Sequence, residues 1–325
     1  MKSITYTRDD FASDAEIRWC PGCGDYAILA AIQRVLPELG LPPEKHVFVS
    51  GIGCSGRLPY YMNAYGYHTI HGRALPVATG IKALRDDLTV WVVTGDGDSL
   101  SIGGNHLIHC LRRNVNVKIL LVNNQVYGLT KGQFSPTSTL GQVTKTSPEG
   151  VTVQPINALS LALAVGASFV ARCVDKDPNH LGRVIKQAYE HQGCALIEIN
   201  QDCHIFNAGA FDDFSLKNNR AQRTIALEAG KPLLFGVDQT EGLIWRNDVC
   251  YRTTSAEAAS YQHDPSRLSS AMRLVHLDPI QFPVPLGVYY RQQREVFRFQ
   301  HAPTKTIEDL PSLFSTGNTW KIYQA

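Results

Sequence analysis

Short apolar runs alternate with stretches of helical periodicity along the first 205 residues of the chain. A short apolar run bounded by turn residues predicts a buried strand, and apolar residues spaced three and four apart predict a helix that packs on a sheet. The predicted strands are His46–Ser50, Val90–Val93, Ile119–Val122, Ser168–Ala171 and Ala195–Ile199. The predicted helices are Gly24–Leu39, Ala74–Leu84, Ser101–Arg112, Asn157–Val165 and Pro178–His191. The alternation predicts an α/β fold with a doubly wound parallel sheet.

The periodic pattern ends near residue 226, and the sequence beyond it looks irregular. We therefore predict a main domain at 1–226 and a C-terminal extension at 227–325. The extension is expected to pack on the main domain or on a partner, because its pattern does not suggest a large core of its own.

Composition narrows the class of protein. With 325 residues and 44% hydrophobic content, the chain has ample material for a large core. A net charge of +2 does not indicate the strongly basic surface that is typical of nucleic-acid-binding proteins. The sequence has no apolar run as long as a membrane span and does not begin like a signal peptide. Eight cysteines in a chain of this size do not suggest a disulfide framework, so we expect a cytoplasmic enzyme.

Two polar segments follow neighbouring predicted strands, GDGD at 95–98 and NN at 123–124. One helix and one strand fit between them, so they are expected at the carboxyl ends of parallel strands, where ligands bind. Asp96 and Asn124 offer the oxygen ligands that suit Mg²⁺. Ser99 and Ser101 are predicted to open the next helix, whose N-terminal amides favour an anion. The pattern indicates a metal-bound diphosphate, although from the residues alone an ordinary Asp-Gly turn stays open.

Four cysteines lie in loop-like contexts, at Cys20, Cys23, Cys54 and Cys203. The first two form a CxxC pair, and the other two are single thiols close to the ends of predicted strands. Four thiolates suit a structural zinc ion as well as an iron–sulfur cluster, and the residues alone leave these two near parity. The remaining cysteines sit mostly in apolar or periodic stretches and are predicted to be small core residues: Cys110, Cys173, Cys194 and Cys250.

These segments together resemble the beta subunits of the 2-oxoacid:ferredoxin oxidoreductases. The resemblance rests on GDGD followed by NNQVYGLTKGQ, and on WCPGCG, GIGCSG and QDCHIFN, which span about the first two thirds of the chain. It implies a thiamine diphosphate-binding fold with Mg²⁺ and one 4Fe–4S cluster, and it favours iron–sulfur over zinc. The implied cluster ligands are Cys20, Cys23, Cys54 and Cys203, and the implied Mg²⁺ ligands are Asp96, Asn124 and Val126. The implied cofactor contacts are Ile52, Gly53, Cys54, Ser55, His71, Arg73, Gly97, Asp98, Gly128 and Leu129.

A long loop at 131–155, rich in Gly, Ser, Thr, Pro and Gln, begins just after this segment. Lys131 is therefore a candidate catalytic residue that would bind a substrate carboxylate or a phosphate of coenzyme A, against the ordinary interpretation of a solvated surface lysine. For His71, a loop histidine bonded to backbone is the alternative. Arg57, after the cysteine loop, is a candidate for pairing with a carboxylate of a partner subunit.

The resemblance implies an enzyme that converts 2-oxoglutarate, coenzyme A and oxidised ferredoxin to succinyl-CoA, CO₂ and reduced ferredoxin, and that can run in reverse as a carboxylase. It also implies a separate alpha subunit that supplies the glutamate needed to activate thiamine, so this chain is expected to be catalytic only with that partner. Pyruvate or a broad range of 2-oxoacids is the alternative substrate class. A non-redox thiamine enzyme with a structural zinc and a non-catalytic binding module are the alternatives from other classes.

Overall fold

The computed structural model describes residues 5–299, in which an eight-stranded sheet carries helices on both faces. The strands are β1 His46–Ser50, β2 Tyr65–His68, β3 Thr89–Gly95, β4 Val117–Asn123, β5 Phe169–Val174, β6 Ala195–Asn200, β7 Thr224–Leu227, β8 Leu234–Phe235, β9 Glu241–Arg246, β10 Val249–Thr254 and β11 Val284–Arg291. The order in the large sheet is β2-β1-β3-β4-β6-β5-β11-β7, and β10-β9-β8 form a small antiparallel sheet. All five predicted strands are present, and β2 is an additional short strand at the sheet edge.

Nine α-helices lie within residues 5–299. They are α1 Asp25–Val35, α2 Ala74–Leu84, α3 Gly104–Arg113, α4 Ala158–Ala164, α5 Pro178–Glu190, α6 Asp212–Ser215, α7 Lys217–Arg223, α8 Ser255–Ala258 and α9 Leu268–Val275. Single-turn 3₁₀ segments are found at Asp9–Phe11, Leu36–Leu39 and Pro43–Lys45, and a longer one at Ser55–Tyr61. The five helices predicted from periodicity are therefore confirmed, with ends that shift by a few residues. None of the helices within residues 5–299 has the length and hydropathy needed to cross a membrane.

The prediction that Ser99 and Ser101 open a helix is wrong. Residues Asp98–Ile102 form a π-helical turn, and α3 begins only at Gly104. The Ser99 hydroxyl donates back to the carbonyl of Gly95 at 2.9 Å, so it closes the turn instead of capping the helix.

Side chains of the central strands point alternately into two buried layers. On β4, Ile119 and Leu121 pack with side chains of α2 and α3, whereas Leu120 and Val122 pack with side chains of α1 and α5. Because both faces are covered, the strand reads in sequence as a continuous apolar run.

Strand register brings the ends of the central strands to one level. Gly95 of β3 pairs with Val122 of β4, and Asn123 of β4 pairs with Asn200 of β6. The segments that follow β1, β3, β4 and β6 therefore start at the same edge of the sheet. After β4, residues 124–157 run without a helix or strand, which confirms the long loop predicted at 131–155.

The region after residue 227 is more regular than the sequence suggested. Strand β11 enters the large sheet, antiparallel to β5 and parallel to β7, so the sheet is mostly parallel instead of wholly parallel. Pro285 and Gly287, which has φ +122°, interrupt the apolar pattern of β11 and hid it from the sequence analysis. The division at 226 falls inside β7, and the two-part organisation stays a prediction; residues 300–325 lie outside the described part.

Candidate functional site

A cleft opens at the carboxyl ends of β1, β3 and β4, where the sequence placed its candidate site. Its lining residues are Ile52, Gly53, Cys54, Ser55, His71, Gly95, Asp96, Gly97, Asp98, Val122, Asn124, Val126, Tyr127, Gly128, Leu129 and Thr130. The structure thus brings together most of the residues that the resemblance assigned to coenzyme and Mg²⁺. Five assigned residues lie outside this lining: Arg73, Lys131, Cys20, Cys23 and Cys203.

Asp96 is one of two buried carboxylates in the cleft lining, with 2% of its surface exposed. Its Oδ2 accepts hydrogen bonds from the hydroxyls of Ser135 at 2.5 Å and Thr137 at 2.6 Å. Burial raises the pKa of Asp96, and these hydroxyl donors oppose that rise. A divalent cation at this carboxylate would offset the cost of burying its charge, so the residue fits a Mg²⁺ ligand.

Asn124 sits on the other side of the cleft, in a tight turn that follows β4. Its side-chain oxygen accepts from the amide of Val126 at 3.2 Å, and its side-chain nitrogen donates to Gln201 at 2.9 Å. The turn is made possible by Gln125, which has φ +57°. These contacts fix the amide of Asn124 at the strand end, in the lining of the same cleft as Asp96, and an amide oxygen is a ligand type that suits a hard cation.

Asp98 lines the cleft, its predicted role as a cofactor contact stays a prediction, and its carboxylate ties three segments of the site together. It accepts from the backbone amides of Ile52 at 3.0 Å and Gly72 at 2.7 Å, and from the Thr94 hydroxyl at 2.8 Å. Its Oδ1 also lies 2.7 Å from Nδ1 of His71. With 2% of its surface exposed, Asp98 holds in place the loops that carry other lining residues.

Tyr127 is a lining residue that the sequence analysis did not single out. Its hydroxyl donates to the carbonyl of Gly97 at 3.1 Å, and its ring lies so close that a methyl group on Gly97 would be 2.2 Å from a ring carbon. Gly97 is therefore needed for close packing here. The available signal was the position of Tyr127 within the run that carried the resemblance.

The four candidate cluster cysteines lie in one region beside the cleft. A methyl group on Gly128 would be 3.5 Å from the sulfur of Cys54 and 3.5 Å from that of Cys203, so these thiols flank the same glycine. Burial raises the pKa of Cys23, and the nearby Asp25 and the thiols of Cys54 and Cys203 add to this rise.

Electrostatics at the other thiols follows the same pattern. Burial raises the pKa of Cys54 to about 12, and Asp25, Cys203 and Cys20 contribute to the rise. Burial also raises the pKa of Cys203, while the backbone amides of residues 205–207 act in the opposite direction. Clustered thiols that are costly to ionise alone fit a centre whose iron ions stabilise thiolates, and amide donors to sulfur are typical of such sites. Within residues 5–299, no three His, Cys, Asp or Glu side chains converge on a point suited to a single metal ion.

Lys131 and Arg73 lie apart from the cleft lining. Lys131 is exposed, has φ +76° and donates its backbone amide to the carbonyl of Gly128 at 3.0 Å. Arg73 precedes α2, and its charge contributes, after burial, to the lowered pKa of His106 on α3. Arg57 lies near the cysteine group, where its charge counters the rise in the pKa of Cys54. The roles predicted for these three residues stay predictions.

The cysteines predicted to be structural behave largely as expected. Cys110, Cys173 and Cys194 are buried in the two core layers, which confirms that prediction for them. Cys250 is half-buried and packs against the same core from the small sheet.

Comparisons with known proteins agree with this site. A family described as "Thiamine pyrophosphate enzyme, C-terminal TPP binding domain" matches residues 51–199. The chain is 59% identical over 229 residues to 2-oxoglutarate oxidoreductase subunit KorB of Mycobacterium tuberculosis, which covers 70% of this chain and 61% of that protein. It is 41% identical over 226 residues to 2-oxoglutarate synthase subunit KorB of Archaeoglobus fulgidus, covering 69% of this chain and 84% of that protein.

A solved structure is similar along most of its length. It is a 2-oxoglutarate:ferredoxin oxidoreductase from Magnetococcus marinus, with 2-oxoglutarate, coenzyme A and succinyl-CoA bound. The match has a TM-score of 0.74 and 34% identity, and it covers 91% of this chain and 88% of that one. The alignment with the M. tuberculosis relative, by contrast, spans only about three fifths of that relative's length.

Proposed function

Because the chain belongs to the family of 2-oxoacid:ferredoxin oxidoreductase beta subunits, we propose that it is the subunit that binds thiamine diphosphate, Mg²⁺ and a 4Fe–4S cluster in a 2-oxoglutarate oxidoreductase. The proposed reaction converts 2-oxoglutarate and coenzyme A to succinyl-CoA and CO₂. Two electrons pass one at a time to two ferredoxins and one proton is released, and the reverse reaction fixes CO₂.

One observation carries this proposal: Cys54 belongs to both candidate sites. It lines the cleft together with Asp96 and Asn124, and its sulfur, like that of Cys203, lies beside Gly128. A redox centre held by these thiols would adjoin a coenzyme held in the cleft, which is what oxidation coupled to decarboxylation requires. When bound, thiamine diphosphate supplies the carbon nucleophile and the electron sink for loss of CO₂.

The residues of the chain have distinct proposed tasks. Asp96, the side chain of Asn124 and the backbone of Val126 hold Mg²⁺ and through it the diphosphate. The glycines at 53 and 128 leave room for close approach of the coenzyme, and Gly97 leaves room for the ring of Tyr127. Cys20, Cys23, Cys54 and Cys203 hold the cluster, and the burial that raises the pKa values of Cys23, Cys54 and Cys203 limits the access of water to it.

The preference for 2-oxoglutarate draws on the names of the relatives, two of which are 2-oxoglutarate oxidoreductase or synthase subunits. Another relative, from Saccharolobus solfataricus, is 49% identical over 191 residues and is called a 2-oxoacid:ferredoxin oxidoreductase subunit beta. This name keeps broad substrate use as the second candidate. We propose that Lys131, whose exposed side chain lies at the start of the long loop, binds the distal carboxylate of the substrate.

We also propose that an alpha subunit covers the open side of the cleft with the glutamate that activates thiamine, and that the assembly works in the cytoplasm, where thiols stay reduced. The test is to purify the chain without oxygen, alone and with a co-expressed alpha subunit. The pair is expected to be brown, to contain four iron and four sulfide per chain as a 4Fe–4S cluster requires, and to reduce ferredoxin only with 2-oxoacid and coenzyme A.

Three results would contradict the proposal in different ways. Full turnover by the chain alone would refute the need for an alpha subunit. A colourless protein with zinc and without acid-labile sulfide would refute the redox function. Equal rates with 2-oxoglutarate, pyruvate and a branched 2-oxoacid would refute the substrate preference and favour a broad 2-oxoacid enzyme.

A further inference from the structure

A buried chain of hydrogen bonds leads from Asp96 away from the cleft. Its first members are Ser135 and Thr137, which belong to the long loop and were not assigned any role by the sequence. Both hydroxyls lie within 2.6 Å of the same atom, Oδ2 of Asp96. Thr137 has 4% of its surface exposed, and its hydroxyl also lies 2.8 Å from the side-chain oxygen of Asn123.

The chain continues across the sheet to a buried ion pair. The side-chain nitrogen of Asn123 donates to Oε1 of Glu198 at 2.8 Å, and Nε of Arg172 donates to Oε2 of Glu198 at 2.7 Å. Burial disfavours the charge of Arg172, but the carboxylate of Glu198 and the hydroxyl of Tyr289 together outweigh this effect and raise the pKa of the guanidinium. Arg172 in turn donates to the hydroxyl of Tyr289 on β11 at 3.3 Å.

This arrangement fixes which way each polar group points. Glu198, paired with Arg172, presents an acceptor to Asn123, so the amide nitrogen of Asn123 must face it. The amide oxygen of Asn123 then faces Thr137, and the backbone amide of Gln125 holds that oxygen at 3.2 Å. The Asn123 oxygen and Oδ2 of Asp96 both accept from the Thr137 hydroxyl and share its single proton, so Thr137 is held between them, while Ser135 donates its own proton to Asp96.

We propose that Ser135 and Thr137 are positioning residues that hold Oδ2 of Asp96, so that its other oxygen is turned to the metal, and that Glu198 and Arg172 fix this arrangement through Asn123. The inference rests on the proposed function, because it concerns the same Asp96. Groups that hydrogen-bond a metal ligand orient it, and removing one typically weakens metal binding by about 10-fold to 100-fold.

The test measures metal affinity and not turnover. The full chain, purified with its alpha subunit and supplied with thiamine diphosphate, is titrated with Mn²⁺ in place of Mg²⁺, and free Mn²⁺ is followed by its electron paramagnetic resonance signal. Thr137→Val keeps the side-chain shape and removes the hydroxyl, so it is expected to weaken Mn²⁺ binding about 10-fold. Thr137→Ser retains a hydroxyl and should restore the affinity to within about threefold, since the donor to Asp96 is kept.

A matched control lies two residues along the same loop. Thr139→Val makes the same substitution at an exposed threonine and should bind Mn²⁺ like the unsubstituted chain. Ser135→Ala, the second variant aimed at Asp96, is expected to weaken binding as well, so the test survives a Thr137→Val chain that fails to fold by circular dichroism.

The outcomes separate this inference from the proposed function. If the unsubstituted complex binds Mn²⁺ tightly with thiamine diphosphate and both Thr137→Val and Ser135→Ala do so equally, the positioning role is refuted and the proposed function stands. Equal weakening by Thr137→Val and Thr139→Val would refute it too, because the effect would belong to the loop and not to the hydroxyl. If the unsubstituted complex does not bind Mn²⁺ in the presence of thiamine diphosphate, the proposed metal site fails and the inference fails with it.

Discussion

The stability of the protein should fall far more when the side chain of Asp98 is truncated than when only its charge is removed. In Asp98→Ala, the buried backbone amide of Gly72 and the buried Thr94 hydroxyl lose their acceptor, as does the half-buried amide of Ile52. An unsatisfied buried donor costs about 1–3 kcal/mol, so the donors of Gly72 and Thr94 alone are expected to cost about 2–6 kcal/mol. This is a large part of the roughly 5–15 kcal/mol by which a typical domain is stable.

Asp98→Asn should cost much less. The amide oxygen still accepts from Ile52 and Gly72, and the new nitrogen can donate to the Thr94 hydroxyl. What is lost is the extra strength of the two amide hydrogen bonds to a charged acceptor, which is about 1 kcal/mol for each bond. We therefore expect a destabilisation of about 2 kcal/mol for Asp98→Asn.

The assay is urea unfolding of the full chain followed by far-UV circular dichroism, with thiamine diphosphate binding measured on the same variants. The midpoint should fall in the order unsubstituted, Asp98→Asn, Asp98→Ala, and coenzyme binding should weaken in the same order, because the loops at 51–56 and 70–73 line the cleft. Asp238→Asn and Asp238→Ala, at an exposed position, are the matched controls and should leave the midpoint unchanged. Equal midpoints for Asp98→Asn and Asp98→Ala would refute the claim that this carboxylate satisfies buried amides.

Three further predictions test other parts of the molecule. Cys54→Ser should lose most of its iron and its visible absorbance, whereas Cys173→Ser, which alters a buried core thiol, should keep both in an iron and sulfide assay of the purified complex. Lys131→Ala should raise KM for 2-oxoglutarate by about 10-fold to 150-fold, since a charged hydrogen bond of about 1.5–3 kcal/mol is lost, and leave KM for pyruvate unchanged in a ferredoxin-reduction assay. Burial lowers the pKa of His46 from 6.5 to about 4, so the unfolded chain binds the proton more readily than the folded chain does. The stability that this group contributes is complete above pH 6.5 and falls by up to about 3 kcal/mol as the pH drops toward 4. His46→Gln should therefore reduce the dependence of the unfolding free energy on pH in denaturation measured from pH 7 to pH 4.

The central sheet and the position of Asp96 and Asn124 in one cleft were predictable for the same reason. Both faces of β3 and β4 are covered, so each strand is a continuous apolar run with a clear end, and parallel strands place their following residues at one edge. The sequence could not reveal Asp98 as the anchor of the site, because its partners come from loops after β1 and β2 whose approach depends on the finished fold. Strand β2 was not predicted from the sequence because it is short, exposed and lies at the sheet edge.

The long loop marks another limit of sequence reasoning. Residues 131–155 have no periodicity, and their composition indicated only a functional loop starting at the pocket. The sequence therefore indicated Lys131, the first charged side chain of the loop. In the structure Lys131 is exposed and lies outside the cleft lining. The residues that return to the site are the hydroxyl-bearing Ser135 and Thr137, which look like ordinary loop residues in sequence.

The segment that carries Cys54 is restrained on three sides, and this bears on how two cofactors can share it. At its ends, the Ser50 hydroxyl donates to the carbonyl of Gly56 at 2.7 Å, and the amide of Ile52 donates to Asp98. In its middle, the indole of Trp19 donates to the carbonyl of Cys54 at 2.7 Å. A loop held in this way loses little conformational entropy when a ligand binds, so little binding energy is spent on ordering it. Trp19 directly precedes the CxxC pair, and Asp98 belongs to the GDGD turn. The restraints therefore join the cysteine group to the GDGD turn through one short stretch of backbone. The fold thus sets the spacing between the two proposed cofactors before either is bound.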